Sequence, residues 1–263
     1  KDLKVVLKPQ YVDTLGTIFK CSIVEILEKK DQKKNLFEIT DRLDIQKIMN
    51  RQIEELSGGE LQRFALSLSL IQKADVFLLD EFTSYLDIKQ KIQAAKLIKE
   101  VMIKSNKTYI ITTEHDLTIV DFLSDNICIV YGNSGAYGIV SLPYSVREGL
   151  NIFLSGFIPT ENIRFRETVI DFSTLGITIE NTIEHQGPLF NYDKLKKSFN
   201  NFILSIQPGK ISKSEIVVLL GENGTGKTTF IKILAGLVKP DEGEFSKNIF
   251  NVSYKPQKIS PEI

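Results

Sequence analysis

The sequence predicts an α/β fold built on a largely parallel sheet, and three observations carry that prediction. Apolar runs of strand length alternate with helical patterns of about 10–15 residues, the pattern of strand–helix–strand units. A Gly-rich loop, Gly221 to Thr229, joins one such run to a helical pattern. Two carboxylates, Asp80 and Glu81, stand at the end of another run, where ligands of parallel sheets bind.

Taken in chain order, residues 22–50 read as helical. Ser57 and Glu60 form an S-x-x-E capping box, so a helix starts there, with Leu61, Phe64, Ala65, Leu68 and Ile71 as its apolar stripe. A capped core helix is the plain reading. The adjacent Gly58 and Gly59 point further. A cap needs only one flexible position and Gly is unfavourable in a first turn, whereas paired Gly plus Ser suits a phosphate contact.

Val76 to Leu79 reads as a buried strand ending at Asp80 and Glu81. One carboxylate there can hold Mg²⁺ or its waters and the next can polarise a nucleophilic water; a pair of solvated acids is the alternative. Asp87 is placed to cap a helix from Ile88 to Lys104. Tyr109 to Thr113 is a further strand and ends at Glu114, His115 and Asp116. His115 after that strand is a candidate γ-phosphate sensor.

Residues 131–166 are rich in Gly, Pro, Ser and Asn, with Tyr and Phe interspersed. Strand-like runs follow from 167. Ser214 to Leu220 has strand length, and Gly221, Gly226, Lys227 and Thr228 satisfy G-x-x-x-x-G-K-[ST]. Asn223, Gly224, Thr225 and Thr229 complete the loop. Helical spacing runs from Thr228 to Val238 through Phe230, Ile233, Leu234 and Leu237. Such a loop aims its backbone N–H groups at a phosphate, and the helix N-terminus adds partial positive charge. Lys227 is placed for the β/γ-phosphates and Thr228 for Mg²⁺. A last strand-like run spans Phe250 to Tyr254.

Composition removes several classes. The 263 residues carry 33 Lys+Arg against 33 Asp+Glu, with 42% hydrophobic and 25% charged residues. That is ordinary globular usage, and it excludes a disordered, collagenous or disulfide-scaffold chain. Zero net charge argues against a protein that coats nucleic acid. No stretch approaches the ~20 apolar residues of a membrane span. Cys21 and Cys128 give no metal spacing, and their scarcity suits a reducing compartment.

Gln10 in KPQ, then LSGGELQR, LLDE, SYLD and EHD stand in the order of the ATP-binding cassette ATPases. YGNSGAYGIVSLPYSVREGLNIFLSGFIPTENIRFR, residues 131–166, resembles the hinge of the ABC-E class, the RNase L inhibitor-like ribosome-recycling factors. GENGTGKTTFIKILAGLVKPDEGE and NVSYKPQKISP resemble the start of the second cassette of that class. The resemblance covers almost the whole chain. Phe82 departs from it, standing where the family usually has Pro.

The resemblance implies a P-loop NTPase fold of ABC type. Residues 1–130 are the C-terminal part of a first nucleotide-binding domain, 131–166 a hinge, and 167–263 the N-terminal part of a second. The chain, opening at Lys1 with its phosphate loop after His115, thus reads as an internal piece of a longer polypeptide. Catalytic roles fall to Glu81, His115, Asp80 and Gln10, and Mg²⁺ contacts to Thr228, Gln257, Asp80 and Gln10. Nucleotide contacts fall to Gly221 and Asn223 through Thr229, to Ser57, Gly58 and Gly59, and to Gln257. Tyr192 is the candidate for adenine, with a core aromatic as the alternative. Cassettes of this family pack head to tail, which assigns Lys227 and Ser57 to one composite site and Gln10, Asp80, Glu81 and His115 to the other. Arg164 and Arg166 read as anchors of the hinge on the cassettes through backbone carbonyls rather than as RNA contacts. The KLKK run at 194–197 reads as a solvated face.

The function implied is an ATP-hydrolysing cytoplasmic factor for ribosome recycling, translation termination and initiation. Its cofactors are ATP and Mg²⁺, with iron–sulfur clusters expected only in an N-terminal domain outside this sequence. Its partners are ribosomal subunits and termination factors, with no membrane and no direct DNA contact. The chain alone is expected to bind nucleotide without turnover. A chromosome or DNA-repair ATPase would need a long coiled coil, and no sustained heptads occur here. A transporter ATPase subunit would not carry the hinge.

Overall fold

The computed structural model describes residues 3–105, 108–171, 190–199, 202–211, 216–243 and 252–256. The chain divides into two compact units, Lys1–Leu175 and Gly176–Ile263.

The first unit is organised by a three-stranded parallel sheet in the order β1–β2–β3. Its strands are β1 (Val5–Lys8), β2 (Val76–Asp80) and β3 (Tyr109–Thr113). Leu7 pairs with Leu78 and Leu78 with Ile111, so the three C-terminal ends align. Helices α1 (Leu15–Ile18), α2 (Ile23–Lys30), α3 (Leu36–Arg42), α4 (Gly58–Leu70), α5 (Ile88–Lys104) and α6 (Leu117–Leu123) complete this part. Phe64, Leu66 and Leu70 of α4, Phe77 and Leu79 of β2, and Ala94, Ala95 and Ile98 of α5 fill one core. Each large apolar side chain buried this way contributes about 1.5–3 kcal/mol. The opposite face of the sheet is open: Leu7, Tyr109 and Ile111 are 60–66% exposed.

Capping chemistry sets the helix starts. Ser57 accepts from the Glu60 amide and Asp87 from the Gln90 amide, both within reciprocal capping boxes. The helical reading of 22–50 breaks into α2, α3 and a 3₁₀ turn at Gln46–Ile48. Asp31 terminates α2, and its carboxylate accepts from the amides of Asn35 and Leu36 to start α3. Asp116 caps α6 through the Thr118 amide and meets Lys91 Nζ at 2.7 Å. The Lys91 hydrogen bond, aided by backbone donors, holds the Asp116 carboxyl below its usual range. Asp116→Ala is expected to cost about 1 kcal/mol in urea unfolding at neutral pH, the worth of a cap. Because the folded carboxyl is held below its usual range, that difference is complete above the ordinary carboxylate range and fades only as pH falls through the lowered value.

Residues 126–166 add short antiparallel pairs around α7 (Val146–Ser155), a helix that the Gly- and Pro-rich composition concealed. The pairs are β4 (Asn126–Ile127) with β7 (Tyr144–Ser145), β5 (Val130–Asn133) with β6 (Tyr137–Val140), and β8 (Phe157–Ile158) with β9 (Ile163–Arg164). Ile129, Tyr144, Ile152 and Ile158 form a separate small core. Arg166 Nη2 donates to the carbonyls of Phe153 and Leu154 at the end of α7. Arg166 Nε also donates to the Thr168 carbonyl at 2.8 Å, so Arg166 anchors through backbone carbonyls on both sides of it in the chain; the last helix carbonyls have no intrahelical donor. Arg164 lies over the Phe157 ring.

The second unit contains two antiparallel strand pairs and one helix among its described residues. β10 (Phe190–Tyr192) pairs with β13 (Gly209–Ile211), and β11 (Leu195–Phe199) with β12 (Phe202–Ile206). Helix α8 (Lys227–Leu234) buries Ile233 against Leu195 and Ile206. The KLKK run is not a merely solvated face: Leu195 is fully buried, Lys196 pairs with Glu242 and Lys197 with Asp241. Three expectations change here. Residues 216–220 belong to no strand, and Ile216 and Leu220 are 91% exposed. A strand needs a ladder partner, and none meets this run among the described residues. Residues 252–254 likewise form no strand. Helix α8 stops at Leu234 because Gly236 turns left-handed (φ 68°) and Leu237 and Val238 donate back to Lys232, which leaves Leu237 exposed.

Candidate functional site

The strand ends of the first unit converge on one carboxylate. Glu81 follows β2 directly, and its Oε1 accepts from Gln10 Nε2 at 2.7 Å and lies 3.1 Å from His115 Nε2. Its Oε2 accepts from the Ser84 hydroxyl at 3.2 Å. Gln10 arrives just after β1 and His115 just after β3, so the aligned sheet delivers both. His115 is mostly exposed while Glu81 is largely covered. An open cleft of about 380 Å³ extends from here along Ser84, Tyr85, Glu114 and Asp116.

Asp80 is held differently. Its Oδ1 accepts from the Thr113 hydroxyl. Glu114, expected only as part of a strand end, turns inward instead and accepts from the amide and hydroxyl of Thr83 at 3.2 and 2.7 Å. Burial raises its carboxyl above the usual range, against the opposing hydrogen bonds from Thr83.

Two further residues reach the same place. Lys8 ends β1, is fully buried, and donates to the carbonyls of Asp80 (2.7 Å) and Glu81 (3.2 Å). Burial pulls its ammonium down to about 8, with Asp80, Glu114 and Glu81 acting in the opposite sense. Gln62 of α4, also buried, donates to the Glu81 carbonyl at 2.6 Å. The sequence held one usable signal for Lys8, a cation closing an apolar strand. It held none for Gln62, which lies in an ordinary helical pattern.

At the N-terminus of α4, Ser57 donates its hydroxyl to Glu60 Oε2 at 2.8 Å. Desolvation raises the Glu60 carboxyl, but the Ser57 hydrogen bonds together with Arg51 and Arg63 outweigh it, and the net position is lowered. Gly58 lies under the Tyr85 ring: a Cβ there would stand 3.3 Å from the ring carbons. The first turn of α4 is thus kept bare on the side facing the SYLD segment.

In the second unit the phosphate loop leads into α8. Gly226 is the N-cap in the left-handed region (φ 95°), where a side chain would also collide with Phe202 and Leu204. Lys227 curls back and donates to the carbonyls of Gly221 (2.7 Å) and Glu222 (2.5 Å). Thr225 Oγ1 donates to Glu222. Thr228 and Thr229 occupy the first turn of α8, which carries no acidic residue. Tyr192 packs its ring at 5.8 Å edge-on to Phe230 of α8 and closely over Gly209. The structure therefore sets Tyr192 beside the phosphate-loop helix as part of a small core. Gln257 lies outside the described residues.

Gln10 and Asp80 in the first unit, and Thr228 in the second, offer the hard oxygen donors that Mg²⁺ takes. Gln10 gives its amide nitrogen to Glu81, which leaves the amide oxygen for a cation. Among the described residues no group of three His, Cys, Asp or Glu could hold a metal by itself. Each of these two sets fits an ion that completes its shell with nucleotide oxygens and water.

Lys227→Ala is expected to weaken ATP binding about 10- to 100-fold by isothermal titration. That is the worth of one hydrogen-bonded charge, ~1.5–3 kcal/mol.

Comparison with known proteins is consistent along the chain. The family model described as "ABC transporter" matches residues 4–84 and 206–261. "Protein Pixie" of Drosophila melanogaster is 48% identical over 261 residues, 99% of this chain and 42% of that protein. "Translation initiation factor RLI1" of Saccharomyces cerevisiae is 45% identical over 266 residues, 99% of this chain and 43% of that protein. The chain thus spans about two-fifths of the length of these curated relatives. Among solved structures, "RNase-L Inhibitor" superposes with a TM-score of 0.87 at 41% identity, over 98% of this chain and 49% of the other. "Model of ribosome-bound archaeal Pelota and ABCE1" gives 0.89 at 39% identity, over 99% and 43%.

Proposed function

We propose, from the premise that this chain belongs to the ATP-binding cassette family and within it to the ABC-E class of RNase L inhibitor-like ATPases, that it serves ATP hydrolysis coupled to ribosome recycling. The grip on Glu81 by Gln10, His115 and Ser84 carries the hydrolytic part. Glu81 takes the water's proton as it attacks the terminal phosphorus; the bond to the leaving ADP oxygen breaks, giving ADP and phosphate. His115 and Gln10 hold the carboxylate at its outer oxygen. His115, being exposed, is free to meet the terminal phosphate. In the other composite site, Lys227 and the loop amides bind the phosphates, and the bare N-terminus of α4 offers Ser57, Gly58 and Gly59 as a further phosphate contact. Mg²⁺ would be held by oxygens of Gln10 and Asp80 in one composite site and by oxygens of Thr228 and Gln257 in the other, and would neutralise charge on the nucleotide there. Tyr192 is assigned to the adenine edge.

The cellular role rests on the relatives. One is named a translation initiation factor, and one solved relative is described as ribosome-bound with Pelota. Another is described as a complex of archaeal ribosome recycling factor aABCE1 with the ribosomal stalk protein aP1. For this chain the assignment is a cytoplasmic polypeptide of two cassettes, with residues 1–130 from the first, 131–166 as hinge and 167–263 from the second. Ribosomal subunits and termination factors are its partners. No helix among the described residues is long and apolar enough to cross a membrane.

Sedimentation of the two-cassette polypeptide with purified ribosomal subunits tests this. Co-sedimentation is expected with a non-hydrolysable ATP analogue and not with ADP; equal or absent binding in both would refute the ribosomal role. The 263-residue chain by itself is expected to show no steady phosphate release, because phosphoryl transfer requires all parts positioned together. A release that survives repurification and is lost in Lys227→Ala would contradict this.

A further inference from the structure

We propose that Lys8 and Gln62 are positioning residues that fix the Glu81 carboxylate by clamping its backbone; the role rests on the hydrolytic reading above. Glu81 stands at φ 45°, a left-handed conformation that non-glycine residues adopt at a cost and that persists only where surroundings over-determine it. The surroundings here are three separate elements. From β3, Thr113 receives the Glu81 amide on both its carbonyl (3.2 Å) and its hydroxyl (3.1 Å). From β1, Lys8 Nζ bridges the carbonyls of Asp80 and Glu81. From α4, Gln62 Nε2 holds the Glu81 carbonyl. The peptide is gripped at nitrogen and oxygen, and the side chain is thereby aimed at Gln10, His115 and Ser84.

The choice of partners argues against a merely stabilising role. Lys8 is a buried cation surrounded by Asp80, Glu81 and Glu114, yet among the described residues it makes no ion pair with any of those carboxylates. It spends its charge on two main-chain carbonyls. Gln62 is fully buried in an apolar helix face, and its Oε1 has no hydrogen-bond partner among the described residues. Burying a cation and a half-satisfied amide opposes stability, and apolar side chains of the same size would fill the space at lower cost. What apolar residues cannot do is hold the Glu81 carbonyl.

The test uses Lys8→Met and Gln62→Leu in the two-cassette polypeptide. Each keeps the buried volume, and the second stands in if the first fails to fold. Misplacement of a reacting group by about 1 Å costs ~100-fold, so kcat is expected to fall about 10- to 100-fold with KM for ATP nearly unchanged. In a Glu81→Gln background the same substitutions should add little, since no base remains to misplace. Hydrogen exchange on the folded protein gives a readout without activity. The Ser84 amide donates to the Glu81 carbonyl, so its exchange should accelerate in both variants while amides within α5 hold. Wild-type kcat in both variants, or an equal loss with and without Glu81, would overturn the proposal. If the unsubstituted protein shows no turnover, the hydrolytic reading fails by itself. Ser84 exchange then decides: acceleration supports the clamp and unchanged exchange overturns it.

Discussion

Glu81→Gln in the two-cassette polypeptide is expected to lower ATP turnover in the composite site that holds Glu81 about 10²- to 10⁴-fold while leaving nucleotide binding intact. The amide keeps the shape of the carboxylate, so Ser84 and Gln10 retain a neighbour of the same size. It cannot accept the proton of an attacking water, and it carries no charge to orient that water. Single-turnover phosphate release and equilibrium ATP binding, measured side by side, check the claim. Loss of binding with hydrolysis preserved would mean that Glu81 serves the nucleotide rather than the water.

The next residue should have its effect on stability instead. Phe82→Ala is expected to destabilise the first unit by about 3–5 kcal/mol, the usual range for removing a buried aromatic ring. Phe82 is fully buried in the main core, within the cluster that contains Phe64, Phe77 and Leu86. For a unit of this size each kcal/mol moves the unfolding midpoint by roughly 2–4 °C, so a drop near 10 °C should appear in calorimetry. A shift under about 1 kcal/mol would show that the ring is not the packing element its burial implies. The position marked in the sequence as a departure from the family's usual Pro is therefore filled by a core residue.

Local chemistry was legible in the sequence wherever neighbouring residues decide the outcome. The Ser57–Glu60 box and the Asp87 cap set their helices as their spacing required. Strands β2 and β3 ended at the carboxylates and histidine that spacing assigned to them. Long-range partnerships were not legible. The bonds from Lys8 and Gln62 to the Glu81 carbonyl join residues 73 and 19 positions apart, and no periodicity encodes them. Residues 216–220 had the composition of a strand, but a strand exists only with a neighbour to pair with, and composition does not supply one. Helix α7 lies within a Gly- and Pro-rich stretch, and its Gly149 marks a close approach to Ile127 rather than a turn.

The left-handed backbone at Glu81 sets two demands of selection against each other. On conformational grounds alone a glycine there would relax, since an L residue in this region is strained by ~1–2 kcal/mol. Any lineage or laboratory screen that rewards heat resistance without asking for turnover gains at this position by discarding the side chain. On the hydrolytic role proposed for Glu81, only a population that must hydrolyse nucleotide keeps glutamate. The identity of residue 81 in a variant library therefore reports which of the two pressures was applied.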